Sequence, residues 1–279
     1  MADLSAITAC GECCTECPKK LDGRCPGCIE ADGRVPEWAE SGRCRVHACA
    51  REHRVQFCGL CAEFPCEKLP ALIPWNPDII RQMGKLRNQY GAIRLETDRL
   101  ILRDYTANDF EAYYRLKSDA RTMYYLQDIQ AHSPEEAKEE FAGVLSDQAA
   151  SSRRFYFLHM ELKDTHEQVG SIGYTVTDST PVGKLVHLGY FTFPKHWGNG
   201  YVSEALKRLL EFAFTENNVY RVTTGCLAEN RGSERVMQKN GMIREAEHLD
   251  YEWHDGKMKT RLEYRLLRYE WEDRNRIPK

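Results

Sequence analysis

Beyond Cys66 the chain all but stops using cysteine: of 12 in 279 residues, only Cys226 lies later. Long apolar runs are also missing. None approaches the roughly 18 residues that a membrane-spanning helix needs. The opening MADLSAITAC lacks the positive start and apolar middle of a secretory leader. The expected compartment is therefore the cytoplasm, whose reducing pool disfavours structural disulfides. A surplus of positive charge is lacking too: the formal net charge is −3. Residues 1 to 92 carry twelve Lys or Arg against twelve Asp or Glu, so no basic footprint points to nucleic acid or an anionic membrane. There is no internal repeat and no low-complexity tract. A hydrophobic content of 42% with 29% charged residues is that of an ordinary globular protein, and the length suits two domains.

What is present lies mostly at one end. CGECCTECPKKLDGRCPGC (residues 10 to 28) puts six cysteines into nineteen positions, and eleven lie before residue 67. An odd count argues against a fully paired disulfide framework, so these thiols read as metal ligands. Cys14-x2-Cys17 and Cys25-x2-Cys28 have the spacing that lets two thiolates approach one tetrahedral ion. Cys10 precedes them; Cys44-x4-Cys49 and Cys58-x2-Cys61-x4-Cys66 follow. Two four-thiolate sites would use eight of the eleven, with Cys13 among the spares and His47 or His53 as possible substitutes. Zinc suits such closed thiolate sites, and an iron–sulfur cluster is the alternative. Metal binding would then supply the folding energy of a segment with little to bury. The pattern of cysteines through residues 10 to 69 resembles an uncharacterised cysteine-rich domain family of bacteria and archaea, which brings no known activity.

Composition changes near residue 70. LPALIPWNP (69 to 77) carries three prolines in nine residues, which disfavours regular structure. The expected division is a cysteine-rich metal-binding domain at 1–69, a linker with a short helix at 70–92, and a larger domain at 93–279. In the last, residues 93 to 105 read as a strand. Residues 106 to 119 form a helix opened by Thr106 and Asp109 as a capping box, and residues 133 to 149 one opened by Ser133 and Pro134. Strands are expected at 155 to 162, 168 to 177, 184 to 193 and 219 to 228. Residues 201 to 218 form the strongest helix, with Val202, Ala205, Leu206, Leu209, Leu210 and Ala213 on one face. A short helix spans 232 to 240, and residues 242 to 271 give two strands joined at Asp255-Gly256. The fold class is α/β, a mixed sheet with helices on its faces.

FPKHWGNGYVSEAL (193 to 206) is the most specific stretch. A strand ends, a glycine-containing turn follows, and the strong helix begins. Such a turn aims backbone N–H groups outward at the positive end of a helix, a ready anion site. No Gly-Lys-Ser/Thr follows, so it is not a Walker loop; Ser203 stands where a Rossmann fingerprint needs its third glycine.

Lys195-x-x-Gly198-x-Gly200 resembles the pyrophosphate loop of the GNAT superfamily, acyl-coenzyme A (CoA)-dependent N-acyltransferases. ETDRLILRDY (96 to 105), GSIGY (170 to 174), GYFTFPKHWGNGYVSEAL (189 to 206) and NRGSERVMQKNGM (230 to 242) follow the order of its RimJ/RimL-type branch over about residues 93 to 271. The resemblance implies the GNAT fold, a mixed, mostly antiparallel sheet flanked by helices, and acetyl-CoA as cosubstrate. It implies that Lys195, His196, Gly198, Asn199, Gly200, Tyr201 and Val202 cradle the CoA pyrophosphate with backbone amides. Phe193 would offer its N–H to the thioester carbonyl. Asn230 and Ser233 would contact the pantetheine arm, with Ser233 also protonating the departing thiolate. His187 stands where relatives carry a glutamate linked to the general base, and a histidine suits that task. Met237 replaces a tyrosine acid found in many GNAT enzymes. His196 is expected to face solvent, Cys226 to be an inert buried thiol, and Tyr124, Tyr125, Tyr251 and Trp253 to border the acceptor cleft.

The implied activity is direct transfer of an acetyl group to a primary amine, on a protein N-terminus or a small molecule. The alternative is a non-catalytic acyl-CoA sensor whose cysteine-rich domain docks a protein partner.

Overall fold

The computed structural model describes residues 4–61, 63–148, 150 and 152–275, so Ala149, the end of one expected helix, lies outside them. Contacts divide the chain into two units, Met1–Ile93 and Arg94–Lys279.

The first unit is loop-rich, with four short α-helices: α1 (Pro18–Leu21), α2 (Arg45–Glu52), α3 (Lys68–Leu72) and α4 (Ile79–Tyr90). Pro18 opens α1, where its missing N–H costs nothing. The stretch read as a linker is part of this unit. Ile73, Ile79 and Met83 are buried together with Ile7, Ala9, Val46, Ala50, Phe57 and Leu69. The Ile, Val, Leu, Met and Phe side chains among them each stabilise by roughly 1.5–3 kcal/mol when fully buried, so the unit has an apolar core beside its thiols. The expectation that metal alone would hold it is corrected to that extent: the helix after the prolines supplies the missing apolar face.

The second unit is one eight-stranded sheet. Its strands are β1 (Arg94–Glu96), β2 (Leu100–Arg103), β3 (Leu158–Leu162), β4 (Gln168–Thr180), β5 (Gly183–Thr192), β6 (Val219–Leu227), β7 (Ile243–His254) and β8 (Lys257–Leu267), in the order β1-β2-β3-β4-β5-β6-β8-β7. The helices are α5 (Phe110–Ser118), α6 (Pro134–Gln148), α7 (Tyr201–Thr215), α8 (Arg231–Lys239) and α9 (Arg268–Asn275). The segment read as one strand from 93 is a hairpin, because the Thr97 hydroxyl takes the Leu100 amide at 2.9 Å and turns the chain. The last expected strand ends at Leu267, where the Glu270 carboxylate accepts its amide at 3.0 Å and starts α9. The capping box at Thr106/Asp109 is formed, and Ser133 accepts the Glu136 amide at 3.1 Å. In α7, Ala205, Leu206, Leu209, Leu210 and Ala213 are buried as expected, whereas Val202 is half-buried.

One ladder positions the site. β5 and β6 are parallel and pair only from Lys184↔Val219 to His187↔Thr223. β4–β5 pairing continues to Thr192, and β6–β8 pairing continues to Leu227. The two strands therefore stay fixed to their outer neighbours while parting from each other. A wedge opens between Leu188–Thr192 and Thr224–Leu227, and its last link is the Thr224 hydroxyl on the Leu188 carbonyl at 2.9 Å.

Candidate active site in the second unit

The turn that follows β5 holds the glycines where their freedom is required. Gly198 and Gly200 have φ of 77° and 78°, the left-handed region that costs a residue with a Cβ about 1–2 kcal/mol. Gly200 caps α7, whose first amides have no partner within the helix. A Cβ at Gly198 would meet nothing within 4 Å, so the backbone is open to a ligand there. A residue that sequence reasoning missed braces the turn. Arg99 donates to the Asn199 carbonyl at 3.1 Å, stacks 4.6 Å over the Tyr201 ring and pairs with Glu204 at 2.6 Å. Lys195 is paired with Glu167 as Arg99 is with Glu204, so what the turn offers an anion is its backbone amides at the start of α7. His196 is not solvent-facing: its side chain is 8% exposed, packed edge-on against Tyr201 with rings 6.0 Å apart.

Along β5 the backbone alternates between its neighbours. The Phe193 amide donates to the Val169 carbonyl at 3.1 Å and is therefore not the donor that the motif suggested. By the same alternation the amides of Thr192 and Tyr190 point to the wedge, where β6 no longer meets them.

Across the wedge, Asn230 caps α8 by accepting the Ser233 amide at 3.1 Å, so part of its side chain is already used. Ser233 Oγ lies 2.8 Å from the Tyr190 hydroxyl, which also reaches the Ser233 carbonyl at 3.1 Å. Burial pushes the Tyr190 phenol up and Ser233 opposes this, so it stays protonated at neutral pH. Tyr190, missed from sequence, thus backs the serine. Met237 is fully buried, and the burial of the Cys226 thiol lifts it to about 11, the inert state expected.

His187 occupies the last rung before the wedge. The Thr223 hydroxyl donates its single proton to the Val186 carbonyl at 3.1 Å. With that proton on Val186, the hydroxyl accepts from His187 Nδ1, 3.3 Å away, a pairing that favours the proton on Nδ1 and the lone pair on Nε2. His187 keeps an exposed face, while the protein atoms packed around the rest of the ring lower the imidazole from its usual range; Glu263 opposes that shift and Arg261 adds to it. At neutral pH it is an unprotonated base. Of the expected acceptor-cleft aromatics, Tyr251 and Trp253 are exposed on β7. Tyr124 packs edge-on to Tyr125 at 4.8 Å and its hydroxyl reaches Asp255 at 3.2 Å.

In the first unit the cysteines are free thiols, and they fall into two neighbourhoods. Cys28 feels Cys10, Cys14, Cys25 and Cys44, while Cys58 feels Cys49, Cys66, Cys61 and, most weakly, Cys10. Burial, then these neighbours, lifts both Cys28 and Cys58 to about 12. The Gly27 amide donates to Cys25 Sγ at 3.4 Å. Cys17, expected with Cys14, is not among the thiols that act most on Cys28 or Cys58 and acts on Lys19. His47 is engaged by Asp32 at 3.0 Å and His53 by the Cys49 carbonyl at 2.9 Å. Among the described residues no three donors are gathered as a metal ion requires, so a bound metal is not shown. Nor is any described helix long and apolar enough to cross a membrane.

Comparison with known proteins agrees with this geometry. Residues 99–243 match the family described as Acetyltransferase (GNAT) domain, and residues 18–71 match a Protein of unknown function (DUF3795). The uncharacterized N-acetyltransferase YoaA of Bacillus subtilis (strain 168) is 30% identical over 166 residues, 58% of this chain and 89% of YoaA. The crystal structure of a GNAT-family acetyltransferase from Bacillus anthracis matches with 25% identity and a TM-score of 0.53, covering 63% of this chain and 99% of that one. The ribosomal-protein-S5-alanine acetyltransferase of Vibrio fischeri shares the fold at 17% identity and a TM-score of 0.57, covering 64% and 98%. With a wedge beside a glycine turn and the family match over just that region, the chain belongs to the GNAT family of acetyl-CoA-dependent N-acetyltransferases.

Proposed function

We propose that the second unit transfers acetyl from acetyl-CoA directly to a primary amine, with His187 as base and Ser233, held by Tyr190, as acid. The observation that supports this is the place of His187, its Nδ1 3.3 Å from the Thr223 hydroxyl at the point where β5 and β6 part. The turn from Lys195 to Val202 takes the pyrophosphate on its amides, helped by the positive end of α7. The thioester lies in the wedge, where one outward amide of β5, that of Thr192 or of Tyr190, meets the developing oxyanion. An acceptor ammonium gives its proton to His187, and its nitrogen attacks the carbonyl carbon. The C–S bond breaks, the CoA thiolate takes a proton from Ser233, and Ser233 recovers one from the bonded nitrogen, whose second N–H proton is lost as the amide forms.

Release of CoA thiol should rise when primary amines are added with acetyl-CoA. Gly200→Val should raise the KM for acetyl-CoA about tenfold with kcat little changed, since the left-handed strain alone is about 1–2 kcal/mol. CoA release that no amine accelerates would favour the sensor reading instead.

We also propose that the first unit takes up zinc through its two thiol neighbourhoods, Cys10, Cys14, Cys25, Cys28 and Cys44 in one, Cys49, Cys58, Cys61 and Cys66 in the other. The amide donated to Cys25 Sγ at 3.4 Å supports this, because it is a bond that would stabilise a thiolate. Uptake requires the thiols to close in on the ion. Protein purified anaerobically should hold about two zinc ions per chain; less than about one equivalent rules the proposal out.

A further inference from the structure

His187 has a charged neighbour that no motif marks. Thr223 and Gly225 lie on the same face of β6, two residues apart. His187 is the partner of Thr223, and Glu263 on β8 is the partner of Gly225. A Cβ on Gly225 would stand 2.8 Å from Glu263 Oε2 and 2.9 Å from an Arg261 nitrogen. The bare glycine is therefore the space through which the Glu263 side chain crosses toward His187. Arg261 holds that side chain in place: its Nε donates to Glu263 Oε1 at 2.5 Å and its Nη1 to Glu252 of β7 at 2.6 Å. One cation serving two carboxylates leaves this trio a net negative charge. The other groups around the imidazole are accounted for. Thr223 is fixed on the Val186 carbonyl, Thr175 of β4 is uncharged, and Arg265, opposite Thr223, is paired with Glu270.

We propose that Glu263, extended over Gly225 and braced by Arg261, is the positioning residue that makes His187 an effective base in acetyl transfer. This rests on the reading of His187 as the base. Partial burial discourages the imidazolium that proton abstraction creates. A carboxylate beside it offsets that penalty, and the proton arriving on Nε2 is stabilised as it arrives. The same negative charge favours the acceptor in its cationic form before it loses its proton, so amines that are ammonium ions at neutral pH are the substrates it suits. No bond to Glu263 forms or breaks.

The test is the pH dependence of kcat/KM in wild type, Glu263→Gln, Glu263→Asp and His187→Ala. A base must be unprotonated to act, so activity falls on the acid side as His187 takes a proton. Removing a negative neighbour makes that proton bind less tightly. In Glu263→Gln the acid limb should move down by about half a unit to one unit. The plateau kcat should drop several-fold, since a weaker base abstracts less well. The acetyl-CoA KM should stay within about twofold, because the pyrophosphate turn is untouched. Glu263→Asp, which keeps the charge, should return the limb toward that of wild type. An acid limb lost in His187→Ala but unmoved in Glu263→Gln overturns this proposal alone. A limb retained in His187→Ala overturns the base reading and the proposal together.

Discussion

Arg103→Ala should destabilise the second unit by about 3–5 kcal/mol, the usual cost of leaving a buried charge without its partner. Arg103 donates to Asp109 with two nitrogens, at 2.8 and 2.9 Å, and to Glu161 with two, at 3.3 and 3.1 Å. Neither carboxylate has water enough to do without it: the two side chains are 11% and 7% exposed. Burial alone would raise the Asp109 carboxyl. Arg103, then the Thr106 amide and hydroxyl, outweigh burial and hold it well below the usual range. A lowered acid stabilises above its unfolded value of about 3.9 and loses that contribution as pH falls further. The gap between wild type and variant should therefore be full near neutrality and narrow below about pH 4. Urea midpoints across pH measure it. A difference under about 1 kcal/mol at pH 7 would mean that the cluster behaves as an ordinary surface pair.

His159 gives the same network a second pH signature. It is 3% exposed, with Nε2 3.2 Å from Glu161 and Nδ1 unpartnered. Burial, helped by Arg103, lowers it to about 4. The unfolded chain takes this proton near pH 6.5 and the folded one only near 4. Stability therefore falls as pH drops between those values, and more gently in Arg103→Ala.

How much of this was legible follows from which interactions are local. The Thr106/Asp109 capping box, the Ser133 cap and the Asp255-Gly256 turn join residues a few positions apart, and all are where the sequence placed them. The glycine turn before α7 was readable for the same reason. Tyr190 meets Ser233 across 43 residues and His187 meets Thr223 across 36. Those neighbours are set by how β5, β6 and α8 pack, which no single stretch encodes. Phe193 shows the limit most sharply. Its motif pointed to an amide donor, but alternation along an extended strand decides which way an N–H faces, and here it faces β4. In the first unit, the prolines of 69 to 77 read as a linker because they break regular structure. They do not prevent Ile73 before α4, or Ile79 and Met83 within it, from completing a core.

His187→Ala should lower kcat about a hundredfold, the low end of what a positioned general base supplies, and leave the acetyl-CoA KM nearly unchanged. The separation follows from geometry: the histidine stands at the last β5–β6 rung, whereas the turn proposed for the pyrophosphate, Lys195 to Val202, lies beyond the end of β5. Because the atoms packed around it keep the imidazole below its ordinary value, wild-type kcat/KM should hold its plateau through neutral pH and fall only below about 6.5. The variant, having no such group to protonate, should lose that limb while its residual rate rises with hydroxide or added imidazole. An intact limb and a kcat within about twofold of wild type would move the base elsewhere, since a positioned base contributes far more than that. The favoured tautomer offers a second check. Thr223→Val removes the acceptor that favours the proton on Nδ1, so part of the population would present Nδ1 instead of Nε2. Its kcat should fall between wild type and His187→Ala, with the acid limb retained because the titrating group is still there.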